Sequence, residues 1–515
     1  MTIAPLPSAD ARIQVGIGDR PLSTDVDVLV IGLGITGAGV ALDAATRGLS
    51  VLAVDARDIA WGTSRFSSKL VHGGLRYLAN GQIGVAHESA VERGILMQTT
   101  APHLIRSLPM LIPLTPAVPR SHGLLARVGV AAGDLLRAAA RTPASLLPRS
   151  RRIRSARVLD LAPIVKRSGL RGGVLSYDGQ LEDDARLVVT MARTAVAYGA
   201  DVRTRLRVKD ATGTSAVLVD ESGGEHPIRA RAVISAAGVW AGDLDASITL
   251  RPSRGTHLVV RADRFPGVAC AVMAPVPGHA NRFVFALPQH DGTFYIGLTD
   301  EEVDTIPDVP EVPEADIDFL LEVINSALET PLTKDDVVGA YAGLRPLLDS
   351  DGSSADLSRR HAVLTSSSGL ITIVGGKLTT YRQMAEDAVD AAVAAASLGA
   401  TTCQTKNLPL LGATGDSAPA STHPRLARRF GTDASVVLAA AIDATGLGAE
   451  ELLAPVAEGI PATLAEFVFA VTHEGATSVE DILDRRTRIG LIPADAAAAR
   501  PAAQRALDLG RGNQA

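Results

Sequence analysis

The chain has 515 residues, more than one ordinary hydrophobic core holds, so two or three domains are expected. It is 46% hydrophobic and 21% charged, a globular balance, and a net charge of −6 without an aromatic-rich basic face argues against nucleic acid as a partner. Two distant cysteines, Cys270 and Cys403, read as structural thiols of a reducing compartment, and no apolar run of about 18 residues is present to span a bilayer.

The first 24 residues carry Pro, Ser and Asp but neither a basic start nor an apolar stretch, so they read as a loose leader and not as a secretory signal. The next segment, "DVLVIGLGITGAGVALDAATRGLSVLAVDAR" (27–57), is ordered strand, turn, helix, strand. Gly32, Gly34 and Gly37 have the G-x-G-x-x-G spacing: the first allows the tight turn, the second lets backbone approach a pyrophosphate, and the third lets helix and strand pack closely. N–H groups at the helix start then face the anion. Asp55 closes the second strand where an acid bonds a ribose 2′-hydroxyl, which argues for FAD or NAD over NADP.

"TSRFSSKLVHGGLRYL" (63–78) follows closely. Thr63, Ser64, Ser67, Ser68 and Lys69 would make poor core but a good cofactor wall, with Gly73 and Gly74 admitting backbone to a flat ring; His72, Arg76 and Tyr77 complete the cluster. Between 103 and 157 stand ten arginines (106, 120, 127, 137, 141, 149, 151, 152, 154 and 157) against one acid, Asp134, interleaved with leucine and valine. Such a basic amphipathic stretch either lies on anionic lipid or is a solvated charged face.

Two further strand signals end in glycine: "RAVISAAGVWA" (231–241) at Gly238, and "GLITIVGGKLTTYRQMAEDAVDAAVAAA" (369–396) at Gly375 and Gly376, before a long helix. Lys377, Leu378 and Thr379 stand at that helix start, where free N–H groups and about half a positive charge would stabilise an anionic reduced flavin. NAD gains nothing similar, which favours FAD. Between these pieces, "NRFVFALPQHDGTFYIGLTD" (281–300) alternates around Asp291-Gly292, a hairpin signal, and is expected in an antiparallel sheet that covers the cofactor. In "YAGLRPLLDSDGSSADLSRRH" (341–361), Arg345, Arg359 and Arg360 suit bidentate capture of a phosphate, or pairing with Asp349, Asp351 or Asp356. After about residue 404 the chain is Ala-rich with helical periodicity.

The fold class expected is α/β (α+β): a Rossmann-like FAD-binding domain from 25–100, 160–245 and 340–398, an antiparallel-sheet substrate or cap domain from 101–159 and 246–339, and a C-terminal helical domain over 404–515. The segments "GLGITGAGVALDAATRG", "SSKLVHGGLRYL", "YAGLRPL" and "GGKLTTYRQMA" together resemble the FAD-dependent, membrane-associated glycerol-3-phosphate dehydrogenases, over about residues 25 to 396. Leu33 departs from the glycine that many relatives carry, which the fingerprint permits.

That resemblance implies oxidation of sn-glycerol 3-phosphate to dihydroxyacetone phosphate, with electrons passed from FAD to membrane quinone. It implies a cytoplasmic protein held peripherally on the inner face of the cell membrane, with anionic lipid as a partner and no metal; a homodimer stays open. Carried over by motif, Arg76, Tyr77, Arg345, Arg359 and Lys377 fall where the family binds substrate, and His257 in "RGTHLVV" matches a family position. His72 and His257 are both candidates for the general base, and Lys377 for stabilising the developing alkoxide. The rival readings are an oxidase of the same substrate that uses O₂, an amine or amino-acid oxidase, and a flavin-binding redox sensor without turnover.

Overall fold

The computed structural model describes residues 11–18, 20–74, 82–119, 131–279, 282–348, 361–414, 419 and 421–512. Arg76, Tyr77, Arg359, Arg360 and the 120–130 part of the basic segment lie outside the described residues.

The first strand, Asp25–Ile31, alternates its apolar side chains between two cores, as a period of two requires. Val28 and Val30 face the helices Ile35–Thr46, Asp184–Ala197 and Tyr381–Ala396; Leu29 and Ile31 face the opposite side with Leu52, Val54, Leu206 and Leu218. This strand sits in a nine-stranded sheet. Gln14–Val15, Asp201–Thr204, Val51–Val54, Asp25–Ile31, Glu225–Ser235 and Ile371–Gly375 run parallel in that order, the connections between them being made partly by helices. The long Glu225–Ser235 strand is shared along one edge. Its first half pairs with an antiparallel flap, Ser215–Val219 and Arg207–Ala211, while Ile234 and Ser235 pair with Ile371 and Thr372. The start of the chain is less loose than expected, since Gln14–Val15 adds an edge strand and Ala11 and Ile13 are buried.

The second sheet has ten strands, mostly antiparallel. The hairpin expected around Asp291-Gly292 is there, with Leu287 opposite Tyr295 and Pro288 opposite Phe294. Leu258 and Val260 pack against the helix Glu314–Asn325 on one face. His257 and Val259 point the other way, His257 stacking on Tyr341 and Val259 joining a cluster with Tyr341 and Tyr295. Two strands differ from the expected division of the chain. Gly173–Leu181 and Val337–Arg345, read as parts of the nucleotide domain, are strands of this second sheet, paired with Ile105–Pro113 and Ser253–Arg261. Leu70–Val71 also joins it, opposite Gly179 and Gln180.

Beyond residue 423 the helices Pro424–Phe430, Ala434–Thr445, Leu464–His473 and Pro493–Gly512 enclose a third core. A small hairpin, Pro455–Ala457 with Ile460–Thr463, stands among them. Thr463 and Glu466 form a reciprocal capping box at the start of one helix. Charged pairs seal this unit onto the rest. Arg186 meets Glu474, Arg429 meets Asp183 at 3.0 Å, and Arg485 and Arg486 both reach Asp58, at 2.5 and 2.8 Å.

Candidate active site

A cavity of about 1010 Å³ opens where the parallel sheet ends and the second sheet begins. In an open α/β sheet ligands collect at that edge. Gly32 lies at φ +99, and a Cβ on it would stand 2.7 Å from the Ala236 carbonyl oxygen. A Cβ on Gly37 would strike the Gly32 carbonyl, so Gly37 serves the close packing of helix and turn and does not line the cavity. Gly34 does line it, with Ser64 Oγ as its only neighbour, 3.1 Å from a hypothetical Cβ. Gly238, at φ +60, faces open space. Bare backbone at Gly34 and Gly238 is what close approach of a dinucleotide needs, so the residues present fit one.

Asp55 accepts the Leu33 amide at 2.7 Å and the Arg57 amide at 2.8 Å, and thereby holds the turn from below. Burial pushes its carboxyl up to about 6, against the pull of those two donors. The hydroxyls divide their work. Ser64 Oγ accepts the Ile35 amide at 2.8 Å, Thr63 Oγ1 donates to the Leu344 carbonyl at 2.5 Å, Ser67 Oγ accepts the Lys69 amide at 3.0 Å, and Ser68 Oγ meets His257 Nε2 at 2.8 Å. All four residues line the cavity. Lys69 does not. Its fully buried ammonium donates to the Arg65 carbonyl at 2.7 Å and to Asp184 at 2.8 Å, so the expected cofactor-wall cation is an internal ion pair.

His72 and His257 both reach the cavity, in unlike settings. His257 is 2% exposed and stacks on Tyr341 with ring centroids 4.8 Å apart. Its Nδ1 is sealed without a partner, and burial, with Lys69 and Arg345 nearby, holds its pKa well below the ordinary imidazole value. The His72 ring is about half exposed, its Nδ1 3.0 Å from Asp178 Oδ2 and its backbone amide 3.1 Å from Thr379 Oγ1. A Cβ on Gly73 would run into the Arg93 guanidinium, and one on Gly74 would stand 2.7 Å from Ala86 Cα. This glycine pair therefore admits Arg93 and the helix Ile83–Ile95, and only Gly74 of the two lines the cavity.

On the far wall Gly375, Gly376, Lys377, Leu378 and Thr379 line the cavity, with Lys377 Nζ donating to Ser89 Oγ at 2.8 Å. Arg345 lines it too. Its guanidinium is held by Asp300 at 2.9 Å, Ser253 Oγ at 3.1 Å and the Thr299 carbonyl at 3.3 Å. Three residues that sequence reasoning passed over hold these groups: Asp178, Asp300 and Ser89. Asp178 left one trace, an Asp-Gly step inside the strand Gly173–Leu181; Asp300 and Ser89 left none.

Glycine turn, acid-closed second strand and a second sheet over the cavity define a dinucleotide-dependent oxidoreductase. Residues 27–382 match the FAD dependent oxidoreductase family, and 403–510 match the C-terminal domain of alpha-glycerophosphate oxidase. Glycerol-3-phosphate dehydrogenase 1 of Mycobacterium tuberculosis is 54% identical over 482 residues, covering 91% of this chain and 92% of that protein. A crystal structure of glycerol-3-phosphate dehydrogenase from Bacillus halodurans complexed with FAD superposes with a TM-score of 0.72 at 29% identity, over 95% of this chain and 94% of the other. L-alpha-glycerophosphate oxidase from Mycoplasma pneumoniae, at 16% identity and a TM-score of 0.57 over 75% of this chain and 99% of its own, shares the fold. The chain belongs to the FAD-dependent glycerol-3-phosphate dehydrogenase family.

Proposed function

We propose that this protein oxidises sn-glycerol 3-phosphate to dihydroxyacetone phosphate and hands the electrons to membrane quinone. The observation that carries the reading is the meeting, around one cavity, of the glycine turn, His72, Arg345 and Lys377 from four separated segments. Gly32, Gly34, Ser64, Asp55 and Gly238 would hold the dinucleotide, and Gly375 to Thr379 the ring end. FAD held there would supply the two-electron acceptor for the hydrogen on the alcohol carbon. His72, half-exposed on the cavity wall, removes the C2 hydroxyl proton. Arg345, with Arg76 and Arg359, grips the phosphate, so that the alcohol arrives already positioned. Lys377 and its positive charge stabilise the alkoxide as it forms.

No helix among the described residues is long and apolar enough to cross a membrane, and we assign quinone access to a peripheral contact at the inner membrane face made around residues 131–140, a part of the basic segment that is not a strand of the second sheet. Leu135, 73% exposed beside buried Leu136, supports this, being an apolar side chain left in solvent among arginines. A homodimer is compatible with this arrangement. The test is direct. The purified yellow protein is mixed anaerobically with glycerol 3-phosphate, then offered quinone or air. Bleaching followed by fast reoxidation with quinone and slow reoxidation in air is expected. Fast reoxidation in air assigns it as an oxidase, and absence of bleaching removes the substrate.

A further inference from the structure

Asp178 sits on the cavity wall at the centre of four other groups, and the oxidation proposed above makes no direct use of it. Its Oδ1 accepts from Arg93 Nη1 at 2.7 Å, from the Gly179 amide at 3.1 Å and from the Gly73 amide at 3.2 Å. Its Oδ2 is turned to His72 Nδ1 at 3.0 Å. Resting on the reading of His72 as base, we propose that Asp178, clamped by Arg93, is a positioning residue that fixes the His72 proton on Nδ1 and leaves Nε2 to receive the substrate's hydroxyl proton.

The tautomer follows from donor and acceptor counting. An ionised carboxylate only accepts, so a ring nitrogen 3.0 Å away must carry hydrogen, and in a neutral imidazole the other nitrogen is then the acceptor. Asp178 stays ionised: burial would raise its pKa, but Arg93 and His72 outweigh burial and hold it below the ordinary carboxylate value. Orientation is fixed as well as protonation. The His72 amide is tied to Thr379 on the opposite wall, so ring and backbone are each anchored to a different element.

Core packing does not account for the arrangement. Arg93 and Asp178 are 6% and 12% exposed and already form a buried ion pair, yet the third member is a ring left 45% exposed. Holding a half-exposed ring in one rotamer costs conformational entropy and gains little burial. Gly73 makes room for the clamp, since any side chain there would occupy the place of the Arg93 guanidinium. His257 has no such support, because its Nε2 meets a hydroxyl that can donate or accept and its Nδ1 meets nothing.

The test is Asp178→Asn. The amide oxygen still accepts from Arg93, Gly73 and Gly179, while the NH₂ now faces His72 Nδ1 and drives the proton to Nε2. Nitrogen-15 spectra of histidine-labelled apoprotein, with His72 assigned through His72→Gln, are expected to show Nδ1–H in the unsubstituted protein and Nε2–H in the variant. Flavin reduction by glycerol 3-phosphate is expected to slow by about 10²- to 10⁴-fold, with FAD content unchanged and KM within about threefold. Asp178→Glu, which keeps an accepting carboxylate, should recover part of the rate. Nε2–H in the unsubstituted apoprotein overturns the proposal even if the variant fails to fold. A shifted tautomer with an unchanged rate also overturns it. Failure of the unsubstituted enzyme to reduce its flavin overturns the substrate instead, and the tautomer still tests Asp178.

Discussion

Arg345 Nη1 meets Asp300 Oδ1 at 2.9 Å, over a strand position where only glycine fits. The residue beneath is Gly255, and a Cβ there would collide with the guanidinium. Asp300 is 6% exposed, so the pair is half of a buried charge balance and half of a cavity wall. Arg345→Ala should therefore do two separable things. Turnover of glycerol 3-phosphate should fall about 10²-fold in kcat/KM while FAD remains bound, since a charged hydrogen-bonding group is lost. The protein should also lose on the order of 3 kcal/mol of stability, because a largely buried ion pair with Asp300 is broken. Adding Asp300→Asn should restore stability but not turnover. Unchanged kinetics in Arg345→Ala would remove this arginine from the substrate.

The two cavity histidines should separate in kinetics. His257, stacked on Tyr341 and held neutral by burial, is a poor proton acceptor, so His257→Leu should lower the rate of flavin reduction by about tenfold or less. His72→Gln should lower it by about 10²-fold or more. Stopped-flow measurement of flavin bleaching decides between them, and a reversed order would transfer the base to His257.

Asp58 receives both Arg485 and Arg486 from the C-terminal unit, and Arg485 also lies over the Trp61 ring at 4.8 Å. Trp61 and the following residues to Ser64 line the cavity. Removing one partner of such a sealed network costs about 3–5 kcal/mol. Arg486→Met is expected to lower the urea midpoint of the FAD-free protein and also to weaken FAD retention on dialysis. A midpoint equal to that of the unsubstituted protein would mean that water reaches Asp58.

His103 has both ring nitrogens buried without a partner, between Gly412 and Gly431, and burial together with the Arg186 charge lowers its pKa to about 4. The unfolded value is near 6.5, so the folded state resists protonation. Stability from this group is complete above about pH 6.5 and is lost as the pH falls toward 4. Thermal unfolding between pH 7.5 and 4.5 should show His103→Leu losing less of its melting temperature than the unsubstituted protein. Parallel curves would show that His103 is protonated without penalty.

What could be read from residues alone follows the range over which each cause acts. The positive φ of Gly32 and the closeness of Gly37 to the Gly32 carbonyl arise within the turn itself, and local sequence expresses both, although the Ala236 carbonyl that also crowds Gly32 comes from far along the chain. The hairpin at Asp291-Gly292 is equally local. Lys69 was misread because its partner Asp184 stands 115 residues away, and nothing near Lys69 announces it. Asp178 was missed for the same reason, with Arg93 and His72 at separations of 85 and 106. Gly173–Leu181 and most of Val337–Arg345 fall inside the ranges expected for the nucleotide domain yet join the second sheet, because strand pairing is decided by partners far along the chain that local sequence does not name.

The arginines of the last hundred residues bear on how such a protein can be rearranged over evolutionary time. A chain ending near residue 403 would lose Arg429 opposite Asp183, Arg485 and Arg486 opposite Asp58, and Glu474 opposite Arg186. A foreign helical end would therefore have to bring matching charges opposite Asp58, Asp183 and Arg186, however separable the two units look when drawn as modules.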